Sequence, residues 1–171
     1  MTDSNTQDDS GTDGNVGTAC SHLAARHLSF GWWAVFLFIV LGLVLEVLHG
    51  LKIGYYLDTS NETRRLMWRL AHAHGTLIAL VHIAFALSLP KLNRNRRDGI
   101  DAGEGETIPS SLVLASRCLY GCGVLLPLGF FLGGIFVYGG DPGLGVVLTP
   151  IGALLGALGV FLVARSTRVR R

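Results

Sequence analysis

The chain has 171 residues, 50% of them hydrophobic and 15% charged, with a formal net charge of +2. With a mean hydropathy of +0.47, this composition excludes an ordinary soluble domain and places the chain in the integral-membrane class. The basic residues lie between or beside apolar runs, so they report on topology and give no support to nucleic-acid binding.

In chain order, the first 28 residues begin MTDSNTQDDSGTDGNVGT, a polar stretch with little to bury, and are expected to form a disordered tail. The tail is acidic and the first apolar run is of spanning length, so that run reads as an uncleaved anchor and not as a signal peptide. A four-helix transmembrane domain is expected over 29–165, followed by a basic C-terminal tail at 166–171. Four apolar runs, 30–48, 70–89, 112–137 and 144–164, meet the ~20 helical residues needed to cross ~30 Å of hydrocarbon. Strand-like alternation is missing from them, so the expected fold is all-α, an integral membrane four-helix bundle running up-down-up-down.

The first run starts with Trp32 and Trp33, and Tyr55, Tyr56 and Trp68 flank its far side, as interfacial belt residues would. In the third run Pro127 predicts a kink, and Arg117 is expected to snorkel to the interface. Cys118 and Cys122 fall one turn apart and read as small packing residues. The fourth run carries Gly145, Gly152, Ala153, Gly156, Ala157 and Gly159, a small-residue face suited to inward packing, to a homo-oligomer or to a membrane complex.

Lys91, Arg94, Arg96 and Arg97 in the second connection, with Arg165, Arg168, Arg170 and Arg171 at the end, put both termini on the cytoplasmic side of what reads as a bacterial inner membrane. Lys52, Arg64 and Arg65 in the first connection oppose this, accompanied by Asp58 and Glu62. The same basic clusters suit anionic lipid headgroups.

The candidate chemistry lies at the outer ends of the first two runs. In RLAHAHGTLIALVHIAFAL, His72, Gly75, Ala79, His82 and Ala86 follow the 3-4 spacing of a bundle seam, so His72 and His82 are expected to face inward. His74 lies ~160° away from His72 on a helix, so the two cannot share a small ion. In LEVLHG, Glu46 and His49 are three residues apart and therefore neighbours, and Gly42, Glu46 and His49 read as a continuing seam. Glu46 is the acidic residue of the first run, and an ionisable group at such a position is a functional candidate by default. Antiparallel connectivity would put Glu46, His49, His72 and His74 at one depth, with Tyr138 and Asp141 near. His82 would lie ~15 Å deeper than His72, within reach of a large cofactor only.

RLAHAH at the head of a span resembles the start of the heme-ligating second helix of heme-copper oxidase and nitric oxide reductase catalytic subunits. The resemblance covers about one helix in four and implies an axial-ligand role for His72, with His49 or His74 as the second. The chain also resembles small four-span bacterial membrane proteins with a His-x-His at the head of the second helix, which implies architecture alone.

Three functional readings stay open on the sequence. One is binding of heme b or a transition metal, with His49, His72, His74 and His82 as cofactor residues and Glu46, His49 and His72 as metal ligands, in electron transfer. Another is a non-enzymatic membrane subunit or assembly partner whose histidines are structural. The third, a proton path through Glu46, His49, His72 and His82, is short of polar groups toward the inner side. No nucleotide, serine-hydrolase or zinc-protease motif is present, and the Asn61-Glu62-Thr63 sequon matters only in a glycosylating host.

Overall fold

The computed structural model describes residues 10–57, 62–97 and 108–167, with side chains placed at 18–57, 62–94 and 108–167. Asp58, Asn61, Arg168, Arg170 and Arg171, and the side chains of Arg96 and Arg97, lie outside these residues. The helices are α1 (Ser10–Gly50), the short α2 (Gly54–Leu57), α3 (Glu62–Arg97), α4 (Ser110–Ile135) and α5 (Leu148–Ser166), the last entered through a 3-10 turn at Leu144–Val147. Four stretches are long and apolar enough to cross a membrane: Thr18–Gly50, Glu62–Arg94, Ser110–Ile135 and Leu144–Ser166.

α1 starts well inside the segment expected to be a disordered tail. Its early turns carry Cys20, Leu23, Ala24 and His27 at helical spacing, and Cys20, Leu23 and Ala24 pack with Phe85, Leu89 and Leu112. A polar composition concealed this stripe. From Cys20 through Ala24, His27, Gly31, Val35, Phe38, Gly42 and Leu45, buried and half-buried residues recur every three or four positions along one face of α1.

The α1–α3 seam is built by interlocking small and large residues. A Cβ on Gly75 would lie 2.2 Å from the Phe38 ring, and one on Gly42 would lie 2.5 Å from the His72 ring. Each glycine therefore makes the space that the opposite ring fills. Of the expected α3 seam, Gly75, Ala79, His82 and Ala86 are buried and His72 is half-buried. Contacts run in opposite order along each pair: His27 meets His82 while Phe38 meets His72, so α1 and α3 are antiparallel.

α5 applies its glycines to α4. Cβ atoms on Gly152, Gly156 and Gly159 would collide with or crowd Leu126, Cys122 and Leu119 respectively. The glycines of the small-residue face thus pack within the chain, while Ala153 and Ala157 are exposed with Leu154, Leu158 and Phe161 on the outward side of α5. Cys118 and Cys122 are buried and unbridged. α4 runs as one element through Pro127, and Arg117 is exposed.

The main packing pairs are α1 on α3, α3 on α4 and α4 on α5. Accordingly 44% of the apolar windows of α3 and α4 is buried, against 11% for α1 and α5. The helices form a row with two inner and two outer members, and α1 and α5 share no substantial interface. The outer faces expose a continuous apolar surface, including Trp33, Phe36, Leu43 and Val47 on α1.

One end of the row is closed by aromatic and arginine contacts. Tyr56 stacks on Trp68, and Trp68 on Phe131; the Trp68 indole N–H donates to Phe131 O at 3.2 Å. Tyr56, expected at the interface, is instead buried beneath this stack. Arg64 donates to Gly134 O and to Tyr55 O, both at 3.1 Å, and lies over the Tyr55 ring. The Tyr138–Asp141 turn beside it places Gly139 and Gly140 at φ +59° and +90°, where a side chain would be strained. Thr63 donates its hydroxyl to Gly140 O.

Candidate functional site

The most concentrated polar group inside the helix row lies at the opposite end from the expected cluster. His27 of α1, His82 of α3 and Ser116 of α4 are buried together; both histidines are 0% exposed. His27 Nδ1 is 2.8 Å from His82 Nδ1, and His27 Nε2 is 2.8 Å from Ser116 Oγ. His82 Nε2 is 3.1 Å from Leu119 O. Rings wall the group: Phe85 and Tyr120 against His27, and Phe30 and Tyr120 against His82, with centroids 4.4 to 5.1 Å apart.

The carbonyl at one end fixes every proton in the chain. Leu119 O can only accept, so His82 Nε2 carries a hydrogen and donates it. With both rings neutral, His82 Nδ1 is then an acceptor and His27 Nδ1–H donates to it. That leaves His27 Nε2 bare, and the Ser116 hydroxyl donates to it. A single direction thus runs from α4 through α1 to α3 and back to the α4 backbone. Gly123 permits the last step, since a Cβ there would stand 3.0 Å from His82 Nε2.

Chemically, hydroxyl, imidazole and a second orienting group in series are the parts of an activated nucleophile. Ser116 is 5% exposed, so this hydroxyl meets the imidazole within the packed interior. What the arrangement does is tie three helices through side chains whose buried polar atoms are all engaged.

The residues singled out from the sequence fall in separate places. His82 faces inward as expected, but its partner is His27. His72, half-buried, donates Nδ1–H to Phe38 O of α1 at 2.7 Å. His74 donates Nδ1–H to Leu70 O of its own helix at 2.9 Å and leans on Phe130 of α4. His49 is exposed at the end of α1, its ring edge toward Tyr56 at 6.5 Å. Glu46 is also exposed, because the seam passes from Gly42 through Leu45, which is 6% exposed, rather than through Glu46. The Gly42-Glu46-His49 face was therefore misread by one residue, about 100° of helix.

Among the described residues no group of three or more His, Cys, Asp and Glu side chains is placed to hold a metal ion. Glu46 and His49 are exposed on α1, and His72 is half-buried on α3 with its Nδ1 on a backbone carbonyl. His72 engages its carbonyl through Nδ1, the bond that an imidazole ligating through Nε2 also makes, whereas both ring nitrogens of His82 are taken up by His27 and Leu119 O.

His27 and Ser116 escaped the sequence reading. The signal for His27 was its place in the Cys20-Ala24-His27-Gly31 repeat, which continues the apolar seam backward into polar sequence. Ser116 carried no comparable signal. Comparison of the chain with models of protein families, with curated proteins and with solved structures finds no match.

Proposed function

We propose that the chain is an integral membrane protein with both termini in the cytoplasm, acting as a non-enzymatic membrane subunit or assembly partner whose histidines hold its helices together. The observation that carries this reading is the hydrogen-bond chain from Ser116 through His27 and His82 to Leu119 O, joined by the His72 bond to Phe38 O. In hydrocarbon, where water cannot substitute, interhelical polar contacts of this kind set which helices pair. The broad apolar faces of α1 and α5 supply surface for lipid and for the helices of a partner.

The orientation draws support from charge. Arg26, Lys91, Arg94, Arg117 and Arg165 lie exposed toward the His27 end, whereas at the other end Lys52 and Arg69 are exposed, Arg65 is paired with Glu62 at 3.3 Å and Arg64 is engaged by carbonyls. The unpaired excess belongs on the cytoplasmic side. Fluorescent-protein fusions at either terminus should glow, and periplasmic reporter fusions there should stay inactive.

The test is purification from heme-replete cells in mild detergent, with an absorption spectrum, elemental analysis and identification of co-purifying chains. This reading expects no Soret band, no stoichiometric metal and a reproducible membrane-protein partner. Stoichiometric heme or metal that disappears in His72→Ala would replace it with the cofactor reading, and a stable lone monomer would remove the subunit role.

A further inference from the structure

α1 and α4 touch at the His27 end, through His27–Ser116 and Phe30–Tyr120, and separate above it. The gap is a groove of about 520 Å³, floored by Ala71 of α3 and lined by apolar side chains, Phe30, Leu37 and Leu41 on one wall and Val124, Leu128 and Phe131 on the other. It opens sideways, since Leu37, Val124 and Leu128 are all exposed.

From Phe30 to Leu41 the groove runs about 16 Å along α1. That is half of the ~30 Å hydrocarbon thickness, the depth of one leaflet. An extended acyl chain reaches across one leaflet, so the groove matches a flexible apolar chain in length and in lining.

Its two ends differ in charge. One turn below Phe30, on the same face of α1, is Arg26; one and two turns below Val124, on the same side of α4, are Tyr120 and Arg117. Both arginines are exposed, and neither has an ion-pair partner among the described residues. The far end is bounded by Leu41 and Phe131, and the guanidinium beyond it, Arg64, is half-buried and already held by the Gly134 and Tyr55 carbonyls. An occupant with an anionic head and an apolar chain fits in one direction only, head at Arg26 and Arg117.

We infer that this groove binds one phospholipid of the cytoplasmic leaflet, its acyl chain between α1 and α4 and its anionic headgroup between Arg26 and Arg117. The inference rests on the membrane reading above. Basic residues between helices on the cytoplasmic side are suited to such headgroups.

The experiment is native mass spectrometry of the full chain released from bilayers of equal phosphatidylglycerol and phosphatidylcholine. The expected result is one retained lipid per chain, with phosphatidylglycerol enriched about twenty-five-fold, at about fivefold for each of the two arginines near the headgroup. Arg26→Gln with Arg117→Gln should bring the two lipids to near parity. Lys91→Gln with Arg165→Gln, an equal change of charge away from the groove, should leave the enrichment standing. Ala34→Phe, or Val124→Trp should that variant lose helicity, should reduce retention of both lipids. Equal retention of the two lipids by the unaltered chain, equal effects of the two charge pairs, or retention unchanged by a filled groove would each overturn the inference. Release of the chain from membranes by alkaline carbonate would instead overturn the membrane reading itself.

Discussion

Replacing His27 by Leu removes the middle of the buried chain and gives a direct measure of what it contributes. Two hydrogen bonds are lost, one to His82 and one to Ser116. Between membrane helices such bonds average ~0.6 kcal/mol and reach ~1.7, whereas a buried group left unpaired costs about 1–3 kcal/mol. Ser116 can turn its hydroxyl to the carbonyl one helical turn back, at Leu112, and escape that penalty. His82 Nδ1 has no such alternative on its own helix. Leucine keeps apolar contact with the Phe85 and Tyr120 rings that now touch His27, so little cavity cost is added. The sum is a loss of about 2 kcal/mol. Reversible unfolding by dodecyl sulfate in mixed micelles, followed by helical circular dichroism, measures it. A double-mutant cycle with Ser116→Ala should give a coupling of about 0.6 kcal/mol. A His27→Leu protein as stable as the parent, or strict additivity with Ser116→Ala, would refute the reasoning.

Other outcomes follow from the same contacts. Gly75→Ala should destabilise by about 1–3 kcal/mol through collision with the Phe38 ring, while Gly50→Ala, with nothing near its Cβ, should be neutral or stabilising by up to ~1 kcal/mol; the same unfolding assay compares them, and equal effects would contradict the packing. Gly152→Leu should force α5 from α4, because even a Cβ there stands 2.7 Å from the Leu126 backbone nitrogen. Its readout is faster proteolysis at the Tyr138–Gly143 connection. Arg64→Lys should lower stability by about 1–2 kcal/mol, since a lysine keeps the charge but cannot reach Gly134 O and Tyr55 O with a rigid fork; full rescue of Arg64→Ala by lysine would argue that charge alone matters there.

The helices were legible because apolar runs of spanning length leave few alternatives, and the α3 seam because Gly75, Ala79, His82 and Ala86 repeat at one period. Reading failed where composition and period disagreed. Around His27 the local composition is polar, yet the period of the α1 seam runs on through Cys20 and Ala24, and burial follows the period. At LEVLHG the opposite error occurred: a carboxylate beside a histidine suggested a site, but Leu45 takes the buried position and Glu46 turns outward. The pairing of His27 with Ser116, 89 residues apart, depends on how α1 and α4 converge, which no local pattern encodes. The row arrangement was hidden for a related reason. One glycine face on α5 and one seam on α1 each satisfy a single neighbour, and sequence alone does not say that these neighbours differ.

The central claim is that the histidines are hydrogen-bonding ties, and nitrogen-15 NMR of the imidazoles in bilayers tests it most directly. The account predicts a single neutral form for each ring: hydrogen on Nδ1 of His27 and His72, hydrogen on Nε2 of His82, and a through-bond coupling linking the two Nδ1 atoms of His27 and His82. Metal-shifted or paramagnetically broadened nitrogens at His72 or His82, or a mixture of both hydrogen positions at His27, would contradict it.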